Sequence, residues 1–274
     1  MIKNYRGLSV FALLFLTALA LPFQVSAQDK PVTPPAAVDK TEAIINHAIE
    51  ALGGSNYLNV KTTVGRGFFT AFQEGQSQLP TRFLDYIAYP DRERTEFVSL
   101  GIRVIQTNNG ETGWLFDGAT KTLSDMKAPQ IADFKRSMRT SVENLLHGWW
   151  KKEGATLSYA GRREAGVGKR NETIRLTYPD GFWIEYEFGA RDGLPAKVHY
   201  ALTRKKADTD ETMETSEEDR LGKAITVQGI TAPWVVDHYI NGVQTSRISY
   251  ESLEYNQPLP DTLFAKPANI KALK

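Results

Sequence analysis

Residues 108–123 read NNGETGWLFDGATKTL, a short extended stretch held between two glycine-containing turns. Trp114 and Phe116 stand two apart, a spacing that puts both side chains on one face of a strand. The Asn-Asn-Gly and Asp-Gly-Ala segments on either side suit positive φ and let a strand reverse onto its neighbour. The stretch therefore predicts antiparallel hairpins, with both aromatics on whichever face the sheet buries.

The same period of two extends outward. Strands are predicted near Thr63–Gln73, Thr81–Tyr89, Arg92–Ser99, Ile102–Thr107 and Glu111–Phe116, joined by EGQSQ, YPD, SLG and NNG. Such short connections make a meander. Strands resume at Glu172–Tyr178, Gly181–Phe188, Ala196–Leu202, Lys223–Val227, Pro233–Ile240 and Thr245–Tyr255. Between two of them RKKADTDETMETSEEDR, residues 204–220, is highly charged and reads as a solvated loop or a long strand extension.

Two stretches change to the helical period. The first starts at Asp39 with Glu42 as the partner of a capping box, carries Ile45, Ala48, Ile49 and Leu52 on one face, and stops at Gly53-Gly54. The second runs from Gln130 to Lys152, with Ile131, Phe134, Met138, Val142, Leu145 and Trp149 on one side and Lys135, Arg136, Arg139 and Glu143 on the other. Gly148 marks a place where it can split.

The N-terminus carries Lys3 and Arg6, an apolar run from Leu8 to Phe23, and Val25-Ser26-Ala27 in the pattern of a signal peptidase site. Residues 1–27 are expected to be a cleaved secretory signal, residues 28–38 a proline-rich flexible arm, and residues 39–274 a single domain. With no cysteine among its 274 residues, the chain has neither disulfides nor the acceptor for N-terminal lipidation, and its core must hold the fold. Its 33 basic and 32 acidic residues nearly balance, which leaves no basic face for nucleic acid.

Little in the chain resembles catalytic machinery. There is no G-x-S-x-G elbow, no H-E-x-x-H and no cysteine nucleophile. Glu185 and Glu187 share a strand face at about 7 Å, a spacing a glycosidase pair can use, but they read more simply as the solvated side of an amphipathic strand. His199 and His238 would have to meet across strands to hold a metal, and no ligand spacing supports it. What stands out is an apolar excess, and a sheet with one greasy face needs a second sheet or a helical cover. A curled sheet under one long amphipathic helix encloses aromatic-lined space, whereas tighter packing closes it into a solid core.

Four segments in order carry a resemblance. TNNGETGWLFDGATKTL (107–123), AYPDRERTEF (88–97), EFGARDGLPAKVHY (187–200) and PLPDTLFAKPAN (258–269), with ALGG (51–54) closing the first helix, resemble the LolA-like outer-membrane lipoprotein-sorting family. The resemblance implies an unclosed antiparallel β-barrel with helices across its mouth, sheltering acyl chains of lipoproteins or other lipids in the periplasm. In that family an arginine directly before the hairpin proline helps latch the lid. The matching position here is Tyr89, which cannot make the charge-assisted contacts of a guanidinium.

The combined expectation is a mainly β chain with some α, folded as a curled half-barrel with helices over its mouth. It would be a soluble periplasmic lipid binder without catalytic residues, cofactor or metal. Phe68, Phe83, Trp114, Phe116, Phe182, Ile184, Tyr186 and Phe188 would line the hollow from strands, and Phe134, Met138 and Trp149 from the cover. Tyr89 is the candidate lid latch, and a one-residue slip in register would exchange Phe68 for Phe69. Expected partners are lipid or lipoprotein acyl chains, an envelope protein in a sensor variant of the same fold, and a membrane in transient contact. A hydrolase would instead need Glu185 and Glu187 in a cleft with one raised pKa.

Overall fold

The computed structural model describes residues 35–205 and 212–273; the expected signal, residues 1–27, lies outside them, as do residues 28–34 of the expected arm and 206–211 of the charged segment. Helix α1 spans Pro35–Leu52, so Asp39, expected at its start, lies inside it. Pro35 opens it, where proline's missing N–H is no loss. Ala48 and Leu52 are buried in the core, with Ile45 and Ile49 packed against it. Gly53 ends the helix at φ +122°, where a Cβ would lie 2.3 Å from the Gly229 carbonyl oxygen. Only glycine fits that approach, and it seats the short helix α2 (Ser55–Leu58) on the sheet.

The strands are β1 (Thr62–Gln73), β2 (Gln76–Ser77), β3 (Thr81–Ala88), β4 (Arg92–Ser99), β5 (Ile102–Asn109), β6 (Thr112–Asp117), β7 (Thr122–Asp125), β8 (Thr156–Glu164), β9 (Arg170–Thr177), β10 (Trp183–Gly189), β11 (Pro195–Lys205), β12 (Thr212–Val227), β13 (Ile230–Ile240) and β14 (Val243–Tyr255). They form one antiparallel sheet in the order β7-β6-β5-β4-β3-β1-β14-β13-β12-β11-β10-β9-β8, with β2 pairing the tip of β1. The sheet is curled and not closed into a barrel. Its two edges, β7 and β8, are consecutive in the chain. The helical segment joining them must therefore travel from one edge to the other, which is how it comes to cover the concave face.

That segment is broken twice. Helix α3 covers Ala128–Thr140 and α4 covers Val142–Leu146, separated by Ser141, which is extended and accepts a hydrogen bond from the Asn144 N–H at 3.1 Å. Gly148, at φ +70°, then turns the chain into a 3-10 turn at Trp149–Glu153. The expected single helix is thus three pieces, because a side-chain cap and a left-handed glycine each offer the backbone a better partner than helix continuation.

Strand β8 was not expected from the sequence, since a bulge between Tyr159 and Gly161 breaks its alternation. The described parts of the charged segment, 204–205 and 212–220, are strand, the long extension of the two readings, and β12 turns Glu217 into the interior, where it accepts a hydrogen bond from the Tyr200 hydroxyl at 2.9 Å. The core fills the part of the hollow beneath α1 and the Leu145-Leu146 end of α4. Ile174, Leu176, Ile184, Tyr186, Phe188 and Val198 are buried there from β9, β10 and β11. Each such side chain contributes roughly 1.5–3 kcal/mol by leaving water.

Candidate functional site

Pairing fixes which side chains face the hollow. Thr63, Ile87, Glu93, Asn108 and Gly113 lie opposite one another across β1, β3, β4, β5 and β6. Their concave face continues through Tyr255, which pairs with Thr63. Trp114 follows Gly113 and so faces the other side, with Phe116 beside it. There the C-terminal segment covers them. The Trp114 indole N–H donates to the Phe264 carbonyl at 3.0 Å, the Arg94 guanidinium to the Leu263 carbonyl at 2.9 Å, and Arg103 to the Leu273 carbonyl at 2.6 Å. Trp114 is 3% exposed, packed with Ile105 and Leu273. The concave face of this part of the sheet carries Asp85, Glu93 and Asn108 while the aromatics point outward under the tail, and period two cannot say which face a distant tail will cover.

The other expected lining residues separate into groups. Phe68 lies on the convex face under the Arg82 guanidinium, and Phe69 takes the concave side against Phe97. Phe83 is concave, edge-on to Tyr250 at 5.6 Å. Ile184, Tyr186 and Phe188 are concave too, yet packed solid at 1% exposure or less. Phe134, Met138, Trp149 and Phe182 line a separate groove of about 670 Å³ outside the cover, among Lys135, Arg139, Asp180 and Glu153.

An internal hollow of about 440 Å³ lies between the sheet and α2, α3 and α4. Its apolar walls include Leu52, Val60, Val142, Leu221, Val236 and Leu253, and Tyr57, Tyr89, Tyr200, Tyr250 and Tyr255 also line it. Of the residues expected from sequence, Tyr89 alone touches this space. Tyr250, Leu253 and Tyr255 escaped the sequence reading for a definite reason. Arg66 pairs with Ser252 while Gly67 pairs with Tyr250, so Glu251 is bulged out and the alternation changes parity halfway along β14.

Tyr89 also meets the cover. Its ring lies 5.7 Å from Trp149, Trp149 stacks on His147 at 4.7 Å, and His147 lies 5.2 Å from Tyr57. This aromatic row ties the β3–β4 turn, the end of α4 and α2 together across one side of the hollow. Burial, then the nearby Lys61 charge, hold His147 below its usual pKa, which favours the neutral ring.

The hollow is greasy at its walls but not uniformly so. Burial pushes the Glu143 carboxyl, on α4, above its usual range. Farther along the concave face, burial carries Asp85 to about 6 despite a hydrogen bond from Thr95 at 2.7 Å, and burial with Asp85 nearby carries Glu93 to about 8. Asp219 is engaged with His238 at 2.6 Å.

The convex carboxylates are arranged otherwise. Glu185 and Glu187 are not solvated: each is 3% exposed. Arg163 and Arg175 reach Glu185 at 2.6 and 2.7 Å, and Lys197 and Asn171 reach Glu187 at 2.9 Å. Burial alone would raise the Glu185 carboxyl, but the hydrogen bonds from Arg163 and Arg175 hold it below its usual range. That is the opposite of what a general acid needs. His199, beside Glu185, is convex and His238 concave, so they do not meet. Among the described residues no group of three or more histidine, cysteine or carboxylate side chains is placed to hold a metal ion, and no helix is long and apolar enough to cross a membrane.

No family model matches the chain, and no curated protein matches it. Solved structures do. A DUF1329 family protein from Desulfovibrio piger ATCC 29098 superposes with a TM-score of 0.56 at 13% identity, over 85% of this chain and 98% of that one. The LolA superfamily protein NE2245 from Nitrosomonas europaea superposes with a TM-score of 0.50 at 12% identity, over 82% of this chain and 97% of that one. Identity this low speaks of architecture, and the open, helix-covered sheet described above is that architecture: the chain has the LolA-like fold.

Proposed function

We propose that the chain is an exported binder that shelters the apolar part of a lipid or lipoprotein in the hollow of its curled sheet. The observation that carries this reading is the 440 Å³ space on the concave face, walled by apolar side chains beneath a cover of short helical pieces broken at Ser141 and Gly148. A space of that size suits a small amphiphile or one chain of a larger one. Every methylene shielded there is worth about 0.8 kcal/mol against water. In this reading residues 1–27 direct export, residues 28–34 form the arm, and residues 35–274 act as one binding domain without catalytic residues. The Tyr89–Trp149 contact supports Tyr89 as the latch, through ring packing in place of a guanidinium.

Transient contact with a membrane has support of its own. Val98, Leu100 and Ile102 are exposed on the β4–β5 hairpin, Leu100 at 89%. Adjacent exposed apolar side chains at a hairpin tip favour an interface where they can leave water.

The test is mass spectrometry of organic extracts from the mature protein, purified from a periplasm without detergent, alongside a cavity-free control protein. Stoichiometric lipid or acylated peptide supports the reading and names the cargo. An empty protein that takes up no added lipid refutes it.

A further inference from the structure

The hollow contains one acidic group whose surroundings do not account for it. Glu143 lies in the first turn of α4 and lines the cavity. Its hydrogen bonding is confined to its own backbone, and among the described residues no lysine, arginine or histidine forms an ion pair with it. The other acidic group on this wall is already engaged, since Asp219 holds His238. Tyrosines surround the carboxyl instead. Tyr57, Tyr89, Tyr186, Tyr250 and Tyr255 all lie within electrostatic reach of it.

A second, independent observation concerns Tyr57, which is 6% exposed and lines the same cavity while its hydroxyl has no hydrogen-bond partner among the described residues. A buried hydroxyl without a partner costs about 1–3 kcal/mol, and a buried carboxylate without one costs more. Both are relieved by one kind of group. A protonated primary amine carries N–H donors for the carboxylate and the phenol oxygen, and its charge is favoured by the faces of surrounding aromatic rings. The concave face beyond Tyr250 adds to the negative field through Asp85. Asn108, opposite Glu93, has a buried amide oxygen that is likewise unpartnered. An anionic headgroup would meet repulsion here, and a neutral one would leave Glu143 unpaired.

We infer that the hollow selects an amphiphile carrying a protonated primary amine, with Glu143 as the counter-ion, Tyr57 as the second acceptor and the apolar wall around Val142, Leu221, Val236 and Leu253 holding its chain. The inference rests on the lipid-binding reading and narrows its cargo. It assigns Glu143 a binding role, which a residue kept only for packing would not have.

The experiment is calorimetric titration of the mature protein with decylamine, decanol and sodium decanoate, which share a chain and differ in headgroup, at neutral pH and low salt. Decylamine is expected to bind at least tenfold more tightly than either of the others. Glu143→Gln should abolish that preference, with a native far-UV circular dichroism spectrum and a cooperative melt as the check that the variant is folded. Tyr57→Phe should weaken decylamine about threefold without affecting decanol. Equal affinity for all three probes, or a preference that survives Glu143→Gln, overturns the inference while leaving the lipid-binding reading intact. Failure of every probe to bind overturns both.

Discussion

The concave face of β9 and β10 and that of β11, β12, β13, β14, β1 and β3 belong to one continuous sheet, yet they meet the helices differently. Under α1 the first is solid: Ile174, Leu176 and Ile184 are fully buried, and Tyr186 and Phe188 nearly so. Under α2, α3 and α4 the second stands away and leaves about 440 Å³. Helix α1 sends Ile44, Ala48 and Leu52 into the packed cluster, while the cover over the hollow presents Ser137, Thr140 and Ser141, whose small side chains do not fill the space beneath them. The difference teaches that aromatic richness in a strand is no guide to ligand contact. The richest strand face, on β10, is core, and the pocket is built from residues that look unremarkable one at a time.

Substitutions should separate the two regions, beginning with the largest effect. Phe188→Ala in the packed half is expected to destabilise the fold by about 3–5 kcal/mol, read from urea unfolding. A loss under about 1 kcal/mol would mean that this half is as loosely packed as the other. In the open half, Ala232→Phe should fill the hollow, change stability by less than about 1.5 kcal/mol and lower lipid uptake at least tenfold. Retained uptake would locate the ligand elsewhere.

On the convex side, Trp114→Phe removes the donor to the Phe264 carbonyl and should cost about 1–2 kcal/mol. Faster amide exchange over residues 264–273 with unchanged lipid uptake would place Trp114 in the tail's anchorage rather than in the pocket. Altered uptake would return it to the site.

The acidic wall gives the open half a pH signature. Asp85 and Glu93 have folded-state values raised from 3.8 and 4.5 to about 6 and about 8, so the native state binds these protons more tightly than the unfolded chain. Their stabilising effect is complete below the ordinary carboxylate values and is lost as pH rises through about 6 and then about 8. Melting temperature should therefore fall over that range, and Glu93→Gln should flatten the upper part of the fall. A wild-type profile that rises there would refute the assignment. The smallest expected effect on stability is that of Leu100→Asp at the exposed hairpin, within about 0.5 kcal/mol, paired with weaker association with anionic lipid vesicles.

Much was legible before any coordinates. The meander, the two helical regions and the need for a cover all follow from periodicity, because which residues alternate is a local property of the chain. Strand ends near Arg92, Ser99 and Thr81 coincide with the expected ones for the same reason. The failures share a different cause. Trp114 was assigned the wrong face because only the tail at Phe264, distant in sequence, decides which apolar surface is outer. Tyr250, Leu253 and Tyr255 were missed because a bulge at Glu251 reverses parity within a single strand. Glu143 read as the wet side of a helix, and the break at Ser141 turns it inward.

By itself, then, the sequence determined that this chain makes an antiparallel sheet with a helical cover, since alternation and turn chemistry act over a few residues. Only the tertiary structure decided which face is concave, where the sheet is packed and where it is hollow, and that the Glu143 carboxyl sits inside with no ion-pair partner among the described residues. Those depend on elements far apart in the chain meeting in space, and on the curvature that brings both edges of one sheet under the same connecting helices.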